Sequence, residues 1–222
     1  LDTALRCVDA VRQAVGNEVD LLIEGHGRFN VPTGIKIAKE LEQFKPMWFE
    51  EPTPPDNLEA LKAVRDKSPV PISAGERLYT LKSYKDLFEM RAADFIQPDI
   101  SHAGGLMELK KIAAVAEAYY IPFAPHNPSG PVANAATLQL AACCPNFSIL
   151  EIMYSDVEWR KDVVNEDLHY EDGYITIPDK PGLGVDDYND EVLREHLDPK
   201  YPTLWEETSR WDDVYCHDRL WS

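Results

Sequence analysis

The sequence predicts an α/β fold built on a parallel sheet, and three observations support this prediction. Short apolar segments alternate with amphipathic helical segments from residue 1 to about residue 150. The apolar segments carry few polar side chains on either face, which is typical of parallel strands covered by helices on both sides. The alternation is regular, as it is in chains of βαβ units. An open, doubly wound sheet and a closed barrel both fit this pattern.

Each element has a sequence signal of its own. The first helix has apolar residues at helical spacing and stops at Gly16 and Asn17. Pro32 suits the first turn of the second helix, and Asp56, followed by Glu59, suits the start of the third. The strands are predicted over residues 19–23, 46–49, 70–74, 93–96, 121–124 and 147–150, and the last three helices over 84–90, 106–119 and 132–142.

The chain changes character after Glu151. This part is acidic, aromatic and irregular, with one predicted strand over residues 173–178. We expect a wrap-around extension here and not an independent domain. No glycine-rich loop of the GxGxxG or GxxxxGK[ST] type occurs, which weakens the case for an open nucleotide-binding sheet.

The composition argues against several classes of protein. The 222 residues include 22 Lys and Arg against 39 Asp and Glu, which gives a formal net charge of −17. Such a surface repels polyanions and argues against a nucleic-acid partner. No apolar run approaches the ~18–20 residues that span a bilayer, so no membrane partner is expected. The four cysteines form no CxxC pair, which predicts free thiols in a reducing cytoplasm.

Every predicted strand ends at a residue that can ligate a metal ion or move a proton. Successive members are 23 to 27 residues apart, the length of one βα unit, and they are Glu24, Glu50, Glu76, Asp99, His126 and Glu151. In a parallel barrel the carboxyl ends of all strands meet at one rim. Carboxylates at strand ends are common, but chance accounts poorly for six such residues in succession.

The chemistry of these side chains indicates a metal centre with a base beside it. The three glutamates supply hard oxygen ligands, which favours Mg²⁺ over Zn²⁺. Asp99 can orient the imidazole of His126 for proton abstraction. His26 lies two residues beyond Glu24, and the alternation of side chains along a strand predicts that both face inward.

Five runs of the sequence resemble the enolase superfamily, mandelate racemase subgroup. They are EGHGRF (24–29), WFEEP (48–52), SAGERL (73–78), QPDISHAGG (97–105) and APHNPSGP (124–131). Within the subgroup they are most similar to acid-sugar dehydratases of the galactonate and gluconate type. The resemblance covers roughly residues 1–187, and the ordered set of motifs makes it specific.

The resemblance implies a modified TIM barrel of the (β/α)₇β type, with about six of its strands in this chain. Residues 1–151 are expected to form a partial barrel that carries the active site. Residues 152–222 are expected to finish the barrel and to pack on a capping domain and on a neighbouring subunit of a homo-oligomer. The match begins at the helix before the third barrel strand, so we expect a capping segment and two strands upstream.

The resemblance also implies a role for each strand-end residue. Glu24, Glu50 and Glu76 become Mg²⁺ ligands, His126 the general base paired with Asp99, His26 the acid that protonates the departing hydroxyl, and Glu151 the hydrogen-bond donor to the developing enolate oxygen. The family's first ligand is normally Asp. Its replacement by Glu24 lengthens the side chain by one methylene, an adjustment that Gly25 is expected to permit.

Two further residues are candidates for contact with the substrate. They are His102, which is equally well explained as a satisfied loop residue, and Asn127, which directly follows the base. Both could reach the hydroxyl groups of a polyol.

The predicted function is Mg²⁺-dependent dehydration of a sugar acid, an aldonate such as galactonate or gluconate, to a 2-keto-3-deoxy acid. A racemase or epimerase on the same scaffold is one alternative. A catalytically silent barrel protein is another, favoured by Glu24 but opposed by the retained proton relay of His26, Asp99, His126 and Glu151. The sequence leaves the stereochemistry of the sugar acid open.

Overall fold

The structure, a computed structural model, describes residues 1–153, 157–164, 168–185 and 187–200. These residues belong to two compact units. The first contains residues 1–126 and 144–149, and the second contains residues 127–143 and the described residues from 150 onward. The division into a partial barrel over residues 1–151 and a segment over 152–222 stays a prediction.

The first unit alternates helices and strands as the sequence predicts. Its elements in chain order are α1 (Asp2–Val15), β1 (Leu22–Glu24), α2 (Val31–Leu41), a 3₁₀ turn (Glu42–Phe44), β2 (Trp48–Glu50), α3 (Leu58–Arg65), β3 (Ile72–Ala74), α4 (Thr80–Met90), β4 (Phe95–Ile96) and α5 (Gly105–Ala118). The four strands pair in the order β1-β2-β3-β4, and every pairing is parallel. The predicted α/β class with a parallel sheet is confirmed.

The fifth and sixth predicted strands are shorter than the sequence suggests. They are reduced to single parallel bridges, from Ile96 to Phe123 and from Phe123 to Phe147. Pro122 precedes Phe123 and Pro125 follows Ala124, and neither proline has an N–H to donate, which limits the ladder of hydrogen bonds there. The six strand segments nevertheless lie side by side in chain order, and each is parallel to the next.

Hydrogen bonds from backbone N–H groups to side chains explain where the helices begin. Asn30 accepts the Thr33 N–H at 3.0 Å at the start of α2. At α3 the cap is Asn57, which accepts the Ala60 N–H at 3.0 Å, and not the predicted Asp56. Helix α4 begins earlier than predicted, because a carboxylate oxygen of Glu108, in α5, accepts the N–H of Leu81 at 2.9 Å.

The core of the first unit lies between the sheet and its helices. The central strand residues Phe49, Ile72 and Ile96 are at most 1% exposed, as is Phe123 in the fifth strand position. Apolar side chains from the helices, including Leu41, Leu87, Leu109 and Ile112, are buried as well. This packing fixes the strands, and with them the residues at the strand ends.

The second unit contains α6 (Pro131–Ala141), a 3₁₀ turn (Arg160–Asp162), a hairpin of β5 (Tyr170–Glu171) and β6 (Tyr174–Ile175), and α7 (Asp190–Glu195). The predicted strand over 173–178 is confirmed only at Tyr174–Ile175. Gly173 belongs to the hairpin turn, where both Asp172 and Gly173 have positive φ values. Residues 201–222, part of the predicted extension, lie outside the described residues. Within the described part of the chain, every helix is too short or too polar to cross a bilayer.

Candidate active site

The three predicted metal ligands lie at the ends of neighbouring strands. Glu24 and Glu50 are the last residues of β1 and β2 and are register partners, so their side chains leave the sheet on the same side. Glu76 lies two residues beyond β3. Partial burial of the Glu24 carboxyl group, followed by the negative charges of Glu50 and Glu76, raises the pKa of Glu24 to about 8.

The donor atoms of this cluster suit a hard divalent cation. Glu24, His26 and Glu76 each offer a ligand atom, and these atoms lie within 4.8 Å of one another. Carboxylate oxygens dominate the set, as Mg²⁺ prefers. A divalent cation among the carboxylates would favour their ionised forms and so offset the repulsion that raises the pKa of Glu24. Glu50 is held by the indole N–H of Trp48, which donates to Oε2 at 3.3 Å.

Gly25 explains how the chain turns between the first ligand and His26. Its N–H donates to the Glu50 carbonyl oxygen at 2.8 Å, and an added Cβ would lie only 2.7 Å from that oxygen and 2.9 Å from the Phe49 ring. Strand β1 ends at Glu24, so the strand alternation expected for His26 does not apply. Instead, the N–H of His26 donates to the Glu24 carboxylate, and this hydrogen bond stabilises the turn.

His126 is held from both sides by carboxylates. Its Nδ1 lies 2.8 Å from Asp99 Oδ2, and its Nε2 lies 3.0 Å from Glu76 Oε2. The side chains of Asp99 and His126 are 1% and 14% exposed, respectively. Burial raises the pKa of Asp99, but hydrogen bonds from His126 and from the Ser101 N–H outweigh it, so the net pKa lies below the ordinary value. Asp99 therefore stays ionised and orients the ring.

His26 is held more loosely. Its backbone has a φ of 49°, in the left-handed region that a non-glycine residue seldom adopts. Its Nδ1 lies 3.4 Å from Glu76 Oε1, and its side chain is 41% exposed. Glu76 thus contacts one histidine through each oxygen. Burial raises the pKa of Glu76, but the hydrogen bond from His126 and the nearby positive charges bring it below the ordinary value.

An ion pair between Arg77 and Glu51 supports this cluster. The guanidinium of Arg77 donates to Glu51 through Nε at 3.0 Å and through a terminal nitrogen at 2.6 Å. Glu51 is buried, and burial raises its pKa to about 7 although the Arg77 hydrogen bond lowers it. Arg77 Nε also lies 3.6 Å from Glu76 Oε1. A usable signal was present, since Glu51 and Arg77 are separated by the same interval as Glu50 and Glu76.

His102 lies beside the dyad of His126 and Asp99. Its Nδ1 is 3.2 Å from the Glu76 carbonyl oxygen, and its ring centroid is 6.2 Å from that of His126. Because a carbonyl only accepts, Nδ1 of His102 is the donor in this contact. The residue is exposed, and contact with a substrate stays a prediction for it.

Asn127 and Glu151 both belong to the second unit and contact each other. The N–H of Asn127 donates to Glu151 Oε2 at 2.9 Å, and its Nδ2 donates to the Glu151 carbonyl at 3.0 Å. Nδ2 of Asn127 also donates to Oδ1 of Asn134 at 2.8 Å. Asn134 is not predicted as a site residue, since nothing in the sequence pattern of α6 distinguishes it from a polar residue facing solvent.

Comparison with known proteins agrees with this geometry. Residues 1–191 match the family described as enolase C-terminal domain-like. The chain is 38% identical over 185 residues to a D-xylonate dehydratase of Haloferax volcanii, covering 83% of this chain and 45% of that protein. It is also 38% identical over 205 residues to a D-galactonate dehydratase of Xanthomonas oryzae pv. oryzae, covering 90% and 54%. The chain thus spans about half the length of the curated relatives it matches.

Solved structures give the same result. A mandelate racemase/muconate lactonizing enzyme-like protein from Rubrobacter xylanophilus superposes with a TM-score of 0.84 at 42% identity, covering 89% of this chain and 50% of that one. A mandelate racemase/muconate lactonizing enzyme from Jannaschia sp. superposes with a TM-score of 0.83 at 37% identity, covering 88% and 50%. The resemblance in the sequence motifs and the barrel-type fold class are confirmed, and the chain belongs to the enolase C-terminal domain-like family.

Proposed function

We propose that the protein catalyses the Mg²⁺-dependent dehydration of an aldonate to a 2-keto-3-deoxy acid. The observation that carries this proposal is the placement of His126, whose Nδ1 lies 2.8 Å from a buried, ionised Asp99. A histidine oriented in this way is suited to abstract a weakly acidic proton. The dehydratase names of the curated relatives support the choice of reaction and of a small sugar acid as the substrate.

Glu24, Glu50 and Glu76 would hold the cation, and His26 stays free for proton transfer. When bound, Mg²⁺ supplies positive charge that binds the substrate carboxylate and lowers the energy of the negative charge formed when the α-proton leaves. Arg77, which is paired with Glu51, restrains the Glu76 carboxylate. The ligand role of each glutamate is part of the proposal.

The protein's own groups then move two protons. Asp99 occupies Nδ1 of His126, so Nε2 would take the C2 proton of the substrate, and its 3.0 Å contact with Glu76 Oε2 must open for that transfer. His26, in its protonated form, gives a proton to the 3-hydroxyl as the C3–O bond breaks and water leaves. Glu151 donates a hydrogen bond to the developing enolate oxygen. The enol that results gains a proton at C3 and loses the proton of its C2 hydroxyl group, which gives the 2-keto-3-deoxy acid.

A screen of aldonic acids tests this proposal directly. The complete protein is incubated with each acid and Mg²⁺, and a carbonyl reagent detects newly formed 2-keto acid. We expect one or a few stereoisomers to react, and we expect no product after chelation of the metal or in the His126→Asn variant. If no aldonate yields a 2-keto acid, the proposed dehydration is wrong.

A racemase or epimerase is the second candidate, because two histidines contact opposite oxygens of Glu76. Two opposed bases can exchange an α-proton without loss of a hydroxyl group. The same screen separates the two functions when optical rotation is followed as well. Inversion at C2 without a carbonyl product would favour the racemase.

A further inference from the structure

We propose that Asn127 and Asn134 are positioning residues for Glu151, and that Asn127 acts on Glu151 and not on the substrate. The inference rests on the proposed function, in which Glu151 donates a hydrogen bond to the enolate oxygen. It replaces the substrate contact predicted for Asn127 from the sequence. All three residues belong to the second unit.

Asn127 donates two hydrogen bonds to Glu151. Its backbone N–H donates to the carboxylate oxygen Oε2 at 2.9 Å, and its side-chain Nδ2 donates to the backbone carbonyl at 3.0 Å. One contact restrains the end of the Glu151 side chain and the other restrains its main chain. Together they fix both ends of a side chain that otherwise has three rotatable bonds.

Asn134 sets the orientation of the Asn127 amide. Its Oδ1 accepts the second hydrogen of Nδ2 at 2.8 Å, so the NH₂ group of Asn127 faces two acceptors. A flipped amide would place an oxygen against both acceptors and would lose both bonds. Asn134 itself is 1% exposed and lies in the first turns of α6, where its N–H donates to the Gly130 carbonyl at 3.1 Å.

The side-chain oxygen of Asn127 supports the same conclusion. Asn127 is fully buried, and its Oδ1 has no hydrogen-bond partner among the described residues. A buried acceptor without a partner is costly, so the side chain is held in place for the two bonds of its NH₂ group. Full burial also removes Asn127 from contact with a sugar acid.

The hydrogen bond from the Asn127 N–H determines which oxygen of the Glu151 carboxyl group can donate. Because Oε2 accepts the Asn127 N–H, a proton on the carboxyl group resides on Oε1. Glu151 is exposed, as a group that meets a substrate must be. Asn127 and Asn134 therefore present Oε1 in a single orientation.

The test uses variants of Asn134 in the complete protein, because they leave the backbone N–H of Asn127 unchanged. Asn134→Leu keeps the branched shape of the side chain and removes the acceptor, whereas Asn134→Asp keeps the acceptor. Thr137→Val is the matched control on the same helix, since Thr137 is fully buried but donates only to the carbonyl of Ala133, at 2.8 Å. Asn134→Ala replaces the leucine variant if that protein is insoluble.

We expect Asn134→Leu to lower kcat about 10- to 100-fold with KM within about threefold, as misplacement of a catalytic group does. C2 hydrogen exchange into D₂O should fall in parallel with dehydration, because Glu151 acts on the enolate that both processes share. Asn134→Asp should restore most of kcat, and Thr137→Val should match the parent protein.

Three results would overturn the inference. One is an Asn134→Leu variant whose kcat equals that of Thr137→Val, although Glu151→Gln is inactive. Glu151 would then act without the hydrogen bonds that Asn127 and Asn134 provide. Another is a raised KM with unchanged kcat in Asn134→Leu, which would return Asn127 to substrate binding. The last is full activity in Glu151→Gln, which locates the failure in the role proposed for Glu151 itself.

Discussion

His126 and His26 contact the same carboxylate, but the protein holds the two rings in different ways. His126 has a carboxylate at each ring nitrogen and is 14% exposed. His26 sits on a left-handed turn after β1, is 41% exposed, and has one carboxylate contact at 3.4 Å. A base that must meet a weakly acidic C–H bond gains from being fixed in advance, whereas an acid that follows a departing hydroxyl can tolerate movement. The difference in restraint therefore agrees with the difference in proposed role.

The largest effect is expected from Glu76→Gln, because Glu76 contacts both histidines and is also a proposed metal ligand. We expect C2 hydrogen exchange and dehydration to fall together by at least about 10³-fold. Both rates are measured by NMR and by the 2-keto acid assay. Glu89→Gln, at an exposed position on α4, is the control and should leave both rates unchanged. A Glu76→Gln variant that loses only dehydration would show that Glu76 serves His26 alone.

Asp99→Asn tests the restraint on His126. The amide keeps the shape of the side chain but removes the charge that orients the imidazole, so exchange and dehydration should both fall about 10²- to 10⁴-fold. Asp94→Asn is the matched control: Asp94 is a partly buried carboxylate paired with Arg65 at 2.7 Å, away from the histidines. It should lower the melting temperature without lowering kcat. Equal kcat values for the two variants would contradict the role of Asp99.

Gly25→Ala tests the restraint on His26. A Cβ at this position would lie 2.7 Å from the Glu50 carbonyl oxygen, so the turn must shift, at a cost of about 1–3 kcal/mol in the free energy of unfolding. Dehydration should fall more than C2 exchange, because the turn carries the proposed acid. Gly130→Ala, where nothing lies within 4 Å of the added carbon, should be close to neutral. Denaturant melts and both rate assays give the comparison.

The last expected effect concerns stability and not turnover: it is the pH dependence of stability without metal. The folded pKa of Glu24, about 8, and that of Glu51, about 7, lie above the reference value of 4.5. The folded state therefore holds protons that the unfolded state releases, and stability should fall as the pH rises from about 4.5 to about 8. Thermal melts over this range should show the decline, and added Mg²⁺ should flatten it. A melting temperature that rises over the range would contradict these shifts.

Much of the first unit follows from local sequence patterns. The apolar runs predict β1 to β4 in the correct order, and Gly16, with a φ of 72°, ends α1 as predicted. The start of α4 was missed because Glu108, a residue of α5, satisfies its first turn. That contact is made between helices, and no local pattern encodes it.

In the candidate site, too, some contacts follow from the sequence pattern and others depend on the three-dimensional fold. The regular interval between strand ends predicts that Asp99 meets His126, which the structure shows at 2.8 Å. It does not predict that Glu76 contacts both histidines, since this depends on the left-handed turn at His26. The pairing of Glu51 with Arg77 does not follow from the interval alone, because two successive glutamates leave open which one faces the protein interior.

Deuterium incorporation at C2 in the His26→Asn and His126→Asn variants tests the division of roles most directly. Each variant is incubated with substrate in D₂O, and NMR follows C2 deuteration while the 2-keto acid assay follows dehydration. Thermal melts confirm that both variants are folded. We expect His26→Asn to incorporate deuterium still but to lose most dehydration, and we expect His126→Asn to lose both. Deuterium incorporation by His126→Asn, without any by His26→Asn, would contradict the assignment and exchange the roles of the two histidines.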